Sequence, residues 1–376
     1  MLRKNVARVS AATVALALVE PVAAHSGTTH GGTPHWLLLS LVVGGVLGLT
    51  VAGYAYRRSP SYGTAAAVAA SAVVAVLGGI GVMEFQVVGT TPPSLTPYYE
   101  PASLVLGCAV AGVSLVVGRL RWPTRPDYAF LGIALGIWIL YPAVFPNDGV
   151  TSAFGYLLVL TVPAVTAFVV WQDARGVLQS LRIERSSLRI GAAAAGLFTV
   201  LLAFSTGSLT LNPDDGANLP THALVTIMPV SDPLVVWPAV EFYVPSIPAG
   251  GYLSVGTALF FGFLAALVGL NVAIIVQQAR ATTGGRGSGS FLGMVAATGT
   301  SACCCCAPAL YGAVSVVLGA SATPLYWAFM DSSSPLSSGF FALTVLLLTR
   351  SIVAAGGANA ETNGSRGGTD VDPATA

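Results

Sequence analysis

Four consecutive cysteines are the residues of this chain with the clearest capacity for chemistry. The chain of 376 residues has five cysteines, and four of them, Cys303, Cys304, Cys305 and Cys306, follow one another shortly before Pro308. Thiolates are the ligands that soft ions such as Cu(I) and Zn prefer. The run therefore predicts a site for a soft metal ion, with copper favoured.

The local backbone limits how these thiols can be arranged. Successive residues of a helix are about 100° apart, so only Cys303 and Cys306 share a face. Pro308 has no N–H and crowds the preceding turn, which predicts a kink or break beside the cysteines. Two other interpretations stay open: thiol–disulfide chemistry in a Cys-x-x-Cys relation, and small buried residues that only pack between helices.

The residues around the cysteines resemble a known membrane helix. The stretch Ala296–Cys304 is rich in small residues, and it is followed by Pro308, an apolar run and Gly319-Ala320-Ser321. In this order of features it resembles the first membrane helix of mercuric-ion transport proteins. The resemblance covers residues 296–321 only, and it implies a cysteine relay that passes a soft cation through the bilayer, here from Cys303 to Cys306. Copper or another soft ion fits this relay as well as mercury.

Three histidines near the start are candidate capture residues for the same ion. His25, His30 and His35 lie within eleven polar residues, whereas the whole chain has four histidines. Cu(II) accepts nitrogen ligands in tetragonal geometry, and a histidine at a mature N-terminus offers both its amine and its imidazole. The alternative is a flexible, solvated leader. The functional hypothesis is that residues 25–35 lie outside the membrane and capture a metal ion.

Composition places the chain in a membrane. Hydrophobic residues make up 54% and charged residues only 8%, whereas soluble domains carry about 25% charged residues. The lipid bilayer is therefore the first predicted partner. The net charge of +1 and the lack of a basic aromatic face give no support for a nucleic-acid partner. No catalytic triad, phosphate loop or dinucleotide fingerprint is present, so an enzyme is not indicated.

The predicted fold class is all-α, a polytopic helix bundle over residues 36–355. Residues 1–24 have a basic start, a short apolar centre and a small-residue end, which predicts a cleaved signal peptide. Nine spans follow, or ten if the peptide is not cleaved, because each apolar run is near the length that crosses the hydrocarbon. The predicted spans are Trp36–Tyr56, Tyr62–Met83, Ala102–Leu120, Tyr128–Phe145, Ala153–Trp171, Leu188–Ser208, Tyr252–Gln277, Ser290–Ala320 and Pro335–Ala355.

Basic residues predict the direction of the spans. Lys and Arg concentrate in alternate loops, which are typical of the cytoplasmic side. In a cell membrane this pattern places the mature N-terminus outside and the C-terminus in the cytoplasm. The loop at residues 210–251 is then external and at least partly folded, and the tail at residues 356–376 is predicted to be disordered. Two smaller predictions are a short interfacial or re-entrant helix after Thr323 and a packing role for Cys108.

Overall fold

The computed structural model describes residues 29–30, 33–59, 61–84, 96–145, 151–211, 221–247, 249–281, 323–330 and 334–366. Helices predominate in this part of the chain. The ten α-helices are α1 (His35–Arg58), α2 (Tyr62–Glu84), α3 (Tyr99–Arg121), α4 (Pro126–Val144), α5 (Ala153–Asp173), α6 (Arg175–Ile183), α7 (Arg185–Ser205), α8 (Val255–Ala281), α9 (Thr323–Met330) and α10 (Pro335–Arg366). The six strands are β1 (Thr29–His30), β2 (Thr33–Pro34), β3 (Leu209–Thr210), β4 (Leu224–Val230), β5 (Trp237–Val244) and β6 (Ala249–Ser254).

Eight helices in the described ranges are long and apolar enough to cross a membrane: Trp36–Tyr56, Tyr62–Glu84, Thr96–Arg121, Pro126–Val144, Ala153–Asp173, Arg185–Ser205, Val255–Gln278 and Pro335–Gly357. Each overlaps one of the predicted spans. The chain is therefore a polytopic helical membrane protein. The ninth predicted span, Ser290–Ala320, lies outside the described residues, and so does the predicted signal peptide.

Sequence neighbours pair as tight antiparallel hairpins: α1 with α2, α3 with α4, and α7 with α8. Small residues allow this close approach. A Cβ atom added at Gly78 would lie 2.6 Å from the backbone nitrogen of Val42, and one added at Gly136 would lie 2.8 Å from the carbonyl oxygen of Gly107. The α7–α8 pair has the same kind of contact at Gly269. At these positions the glycine hydrogen is what lets the two backbones touch.

Helix α10 joins the α3–α4 hairpin to the α7–α8 hairpin. It contacts α3, α4, α5, α6, α8 and α9, and Val345, Leu348 and Ile352 are fully buried in the shared core. The amide of Asn271 on α8 donates to the carbonyl oxygen of Leu348 at 3.2 Å and to that of Leu267 at 2.8 Å. The amide of Asn271 is buried in the bundle, and its N–H groups have acceptors. Buried polar groups require such partners.

The helix α10 also continues past the predicted boundary of the bundle. It ends at Arg366, which is eleven residues into the segment predicted to be a disordered tail. Residues 367–376 lie outside the described chain. Helix α9 occupies the place predicted for a short helix after Thr323, and the Ser334 hydroxyl accepts a hydrogen bond from the N–H of Leu336 at 3.3 Å. That bond caps the first turn of α10.

The external loop of the prediction contains a four-stranded antiparallel sheet with the strand order β3-β6-β5-β4. The all-α class is therefore wrong for this region. The physical reason is that runs of seven or eight apolar and β-branched residues are too short to span a membrane but are well suited to strands. The sheet passes directly into α8, where the Ser254 hydroxyl accepts from the N–H of Thr257 at 2.9 Å and the Thr257 hydroxyl accepts from the N–H of Ser254 at 2.8 Å.

The prediction for Cys108 is also wrong. A packing residue would be buried between helices, but Cys108 is exposed on α3 and has no disulfide partner in the described part of the chain. Its neighbour Val105 is 72% exposed. Cys108 therefore lies on the outer, apolar surface of the bundle.

Candidate functional site

The arginine-rich loops meet at one end of the bundle, which we call the basic end. Arg125, before α4, forms an ion pair with Asp173 at the end of α5, with a nitrogen–oxygen distance of 2.7 Å. Arg280 near the end of α8 lies 3.0 Å from Glu184, between α6 and α7. It also hydrogen-bonds Tyr56 near the end of α1. The basic loops, which alternate with less charged loops along the sequence, thus lie together at one end of the bundle.

The opposite end carries the sheet, and we call it the sheet end. Glu84, the last residue of α2, fixes β3 there. Its carboxylate accepts from the Thr210 hydroxyl at 2.8 Å and from the backbone N–H of Leu211 at 2.9 Å. In the structure it is an anchor between the first hairpin and the sheet.

The turn between β4 and β5 inserts into the bundle at the sheet end. Val235 is 1% exposed and packs against Gly155 at the start of α5. The Tyr156 hydroxyl donates to the carbonyl oxygen of Val236, and the Tyr156 and Trp237 rings meet edge to face with centroids 4.8 Å apart. The indole N–H of Trp237 donates to the carbonyl oxygen of Pro233 at 3.3 Å. Aromatic packing and hydrogen bonds together dock the sheet on α5.

This turn also holds the most perturbed carboxyl group outside the spans. Burial raises the pKa of Asp232 to about 6. The pKa of Tyr252 is also raised, first by burial and then by the charge of Asp232, while the hydrogen bond with Ser208 works in the opposite direction. Such carboxyls mark candidate functional sites, but structural networks produce them as well. The described residues place no set of metal ligands around Asp232.

The predicted metal ligands are not brought together in the described part of the chain. Cys303–Cys306 and His25 lie outside the described residues. His30 is in β1, and His35 is the first residue of α1. His222, in the loop before β4, is exposed. No group of three or more His, Cys, Asp or Glu in the described ranges is placed to hold a metal ion.

At the basic end the polar groups form ion pairs and hydrogen bonds that connect neighbouring helices. The Asp173 carboxylate, whose side chain is 8% exposed, accepts from both Arg125 and the Tyr128 hydroxyl. Burial works against the charged form of Glu184, but hydrogen bonds from Ser187 and Arg280 outweigh it and lower the pKa of Glu184. These ion pairs join α4 to α5 and α8 to the α6–α7 corner. Their geometry supports stability and offers no open coordination site.

The helices before and after the cysteine run, α8 and α9, can be placed relative to the two ends of the bundle. Helix α8 runs from the sheet end at Val255 to the basic end at Ala281. The chain is described again from Thr323, in α9, which packs beside the start of α10 with the Phe329 and Phe340 rings 5.2 Å apart. The start of α10 is near the sheet end, because Gly339 faces Leu106 in the first third of α3. Ala281 and Thr323 therefore lie at opposite ends of the bundle.

Comparison with known proteins gives no relative to guide the assignment. No protein-family model, no curated protein and no solved structure matches the chain.

Proposed function

We propose that this membrane protein handles a soft metal ion, with copper favoured, for transport across the bilayer or delivery to another protein. In this proposal Cys303, Cys304, Cys305 and Cys306 receive the ion within the membrane. His25, His30 and His35 capture it outside. The ion is the cargo of the protein and not a resident cofactor.

The run of four thiols is the observation that carries the proposal. The described residues on either side of the run support it, because Ala281 lies at the basic end and Thr323 at the sheet end. A chain that joins the two ends of a membrane bundle crosses the bilayer an odd number of times. That path agrees with a span at Ser290–Ala320 that carries the thiols.

The position of His35 supports the proposed order of capture and transfer. His35 opens α1, and α1 starts at the sheet end because its last residue, Arg58, belongs to the basic end. Thr323, where the chain is described again, lies at the sheet end too. We infer that the capture residues and one end of the thiol-bearing segment share a side of the membrane.

The side itself follows from charge. Loops rich in Arg remain on the cytoplasmic side, so we infer that the basic end faces the cytoplasm and the sheet end faces outward in the cell membrane. Under this orientation the ion meets the histidines first and the thiols second. The direction agrees with uptake from outside, or with delivery to a partner that approaches the outer face.

The test is the metal content of the purified full chain after equilibration with Cu(I). A variant with Cys303, Cys304, Cys305 and Cys306 all replaced by Ser should insert normally but lose stoichiometric copper, because it lacks the soft ligands. The matched control is Cys108→Ser, which removes the fifth thiol from the outer surface and should keep the metal. Elemental analysis by mass spectrometry gives the ratio of copper to protein.

Unchanged copper in the quadruple variant would overturn the proposal. Equal loss in the Cys108→Ser control would also overturn it, because the loss would then be unrelated to the cysteine run. A mass shift on thiol alkylation that depends on the redox state, without bound copper, would instead indicate thiol–disulfide chemistry.

A further inference from the structure

One face of the sheet is made of apolar side chains only. Strand register and the alternation of side chains put residues of β4, β5 and β6 on this face, which we call the outer sheet face. Its members include Val225, Ile227, Pro229, Pro238, Val240, Phe242 and Leu253. The other face carries Trp237, Ala239 and Ser254, which are buried against the bundle.

The outer sheet face is uncovered in the described part of the chain. Ile227 is 78% exposed, Val225 71%, Leu253 56% and Val240 47%. Apolar surface in water costs about 25 cal/mol for each Å². A contiguous apolar patch of this kind marks a surface that meets another apolar phase or partner.

The outer sheet face continues into the lipid-facing surface of α8. The exposed residues at the start of this span are spaced three or four apart, so they share one helix face. They are Val255, Ala258, Leu259, Gly262 and Ala266. Val255 follows Leu253 by two residues, and neither these positions nor the members of the outer sheet face carry a charge. The apolar surface therefore passes from span to sheet without a polar break.

We propose that the outer sheet face rests in the lipid leaflet at the sheet end, with its side chains against acyl chains. The open edge of the sheet sets the depth. Strand β4 is an edge strand, and unpaired backbone groups are too costly in hydrocarbon. The sheet therefore lies at the level of the lipid headgroups and ester carbonyls, where water still reaches the β4 backbone. Only Ile227 and its apolar neighbours reach further in.

The test uses the full chain in phosphatidylcholine vesicles that contain a lipid with a photoactivatable diazirine on its acyl chain. After irradiation, mass spectrometry maps the lipid adducts. Adducts are expected on β4 at Val225 and Ile227, in addition to those on the exposed face of α8. The α8 adducts are the internal control for successful labelling. Adducts on α8 without adducts on β4 would overturn the proposal.

Adjacent residues of β4 provide a matched pair of variants. Thr226 and Ile227 are both exposed but point to opposite faces. Ile227→Asp should abolish the β4 adducts, because a carboxylate is disfavoured against acyl chains, whereas Thr226→Asp should leave them unchanged. Equal loss in the two variants would overturn the proposal. A dimer of the chain by native mass spectrometry, with no lipid adducts on β4, would also overturn it and would identify a second copy as the occupant.

Discussion

Different interactions stabilise the two ends of the bundle. At the sheet end a buried turn, two aromatic rings and hydrogen bonds dock the strands on α5, with Trp237 at the centre. At the basic end ion pairs connect the helices, and Asp173 is the more buried of the two paired carboxylates. Burial is insensitive to salt, whereas exposed ion pairs are screened by it. The stability of the sheet end should therefore depend on packing, and that of the basic end on charge.

The largest effect is expected from Trp237→Ala. Trp237 is 8% exposed, and truncation removes its contact with Tyr156 and the bond to Pro233. Loss of a buried tryptophan costs about 3–5 kcal/mol. The free energy of unfolding, measured by titration with a denaturing detergent, should fall by that amount and should not vary with salt. The control is Trp36→Ala, because Trp36 is 56% exposed; equal losses would contradict the packing account.

An intermediate effect is expected from Asp232→Asn, and it depends on pH. Because the folded pKa of Asp232 is about 6, above the value of an unfolded aspartate, the folded state favours the protonated form. Its stability is therefore greatest at low pH and declines as the pH rises through the window from about 4 to 6. The shift corresponds to at most about 3 kcal/mol. The asparagine variant should lose this part of the pH dependence and be more stable than the parent above pH 6.

Thermal unfolding of parent and variant across this pH range measures the difference directly. Parallel curves for the two proteins would show that Asp232 does not contribute. A matched substitution is Glu241→Gln, which changes a partly buried carboxylate of β5, and it should leave the shape of the pH curve as it is.

The smallest effect is expected at the basic end, from Asp173→Asn. The amide keeps the shape of the side chain but loses the ion pair with Arg125, whose side chain is 38% exposed. We expect a loss of about 1–2 kcal/mol, since charged hydrogen bonds contribute at this level. The loss should shrink as salt is raised. Glu184→Gln is the comparison, because that pair is about one-third exposed on both sides and should cost less than about 1 kcal/mol.

A salt-independent loss for Asp173→Asn would remove the distinction between the two ends. So would a loss as large as that of Trp237→Ala. In either case packing, and not charge, would hold the basic end.

Much of the helical architecture could be predicted from the sequence. Each of the eight apolar helices overlaps a predicted span because hydrocarbon thickness fixes the required length. The arginines at residues 119–125 and 175–189 share one end, as their alternation along the chain indicates. Helix α6 has no counterpart among the predicted spans, although Val177 and Leu181 are buried in it. Its nine residues are too short to give a span signal.

The sheet and its docking could not be predicted in the same way. Tyr156 and Val236 are 80 positions apart, and no local pattern specifies that bond. The signal that was available lies in Val225, Thr226 and Ile227, whose β-branched side chains favour a strand. The predicted metal site remains a prediction, because Cys303–Cys306 and His25 lie outside the described residues.

The hairpins have a consequence for how the protein is made. The pairs α1–α2, α3–α4 and α7–α8 each consist of consecutive spans in backbone contact, so each can close as soon as its second member has been synthesised. Helix α10, which contacts two of these pairs, α3–α4 and α7–α8, follows all three in the chain. During synthesis the separate helix pairs should therefore form first, and α10 should pack against two of them later. A nascent chain stalled before Pro335 would hold closed pairs without the helix that joins α3–α4 to α7–α8.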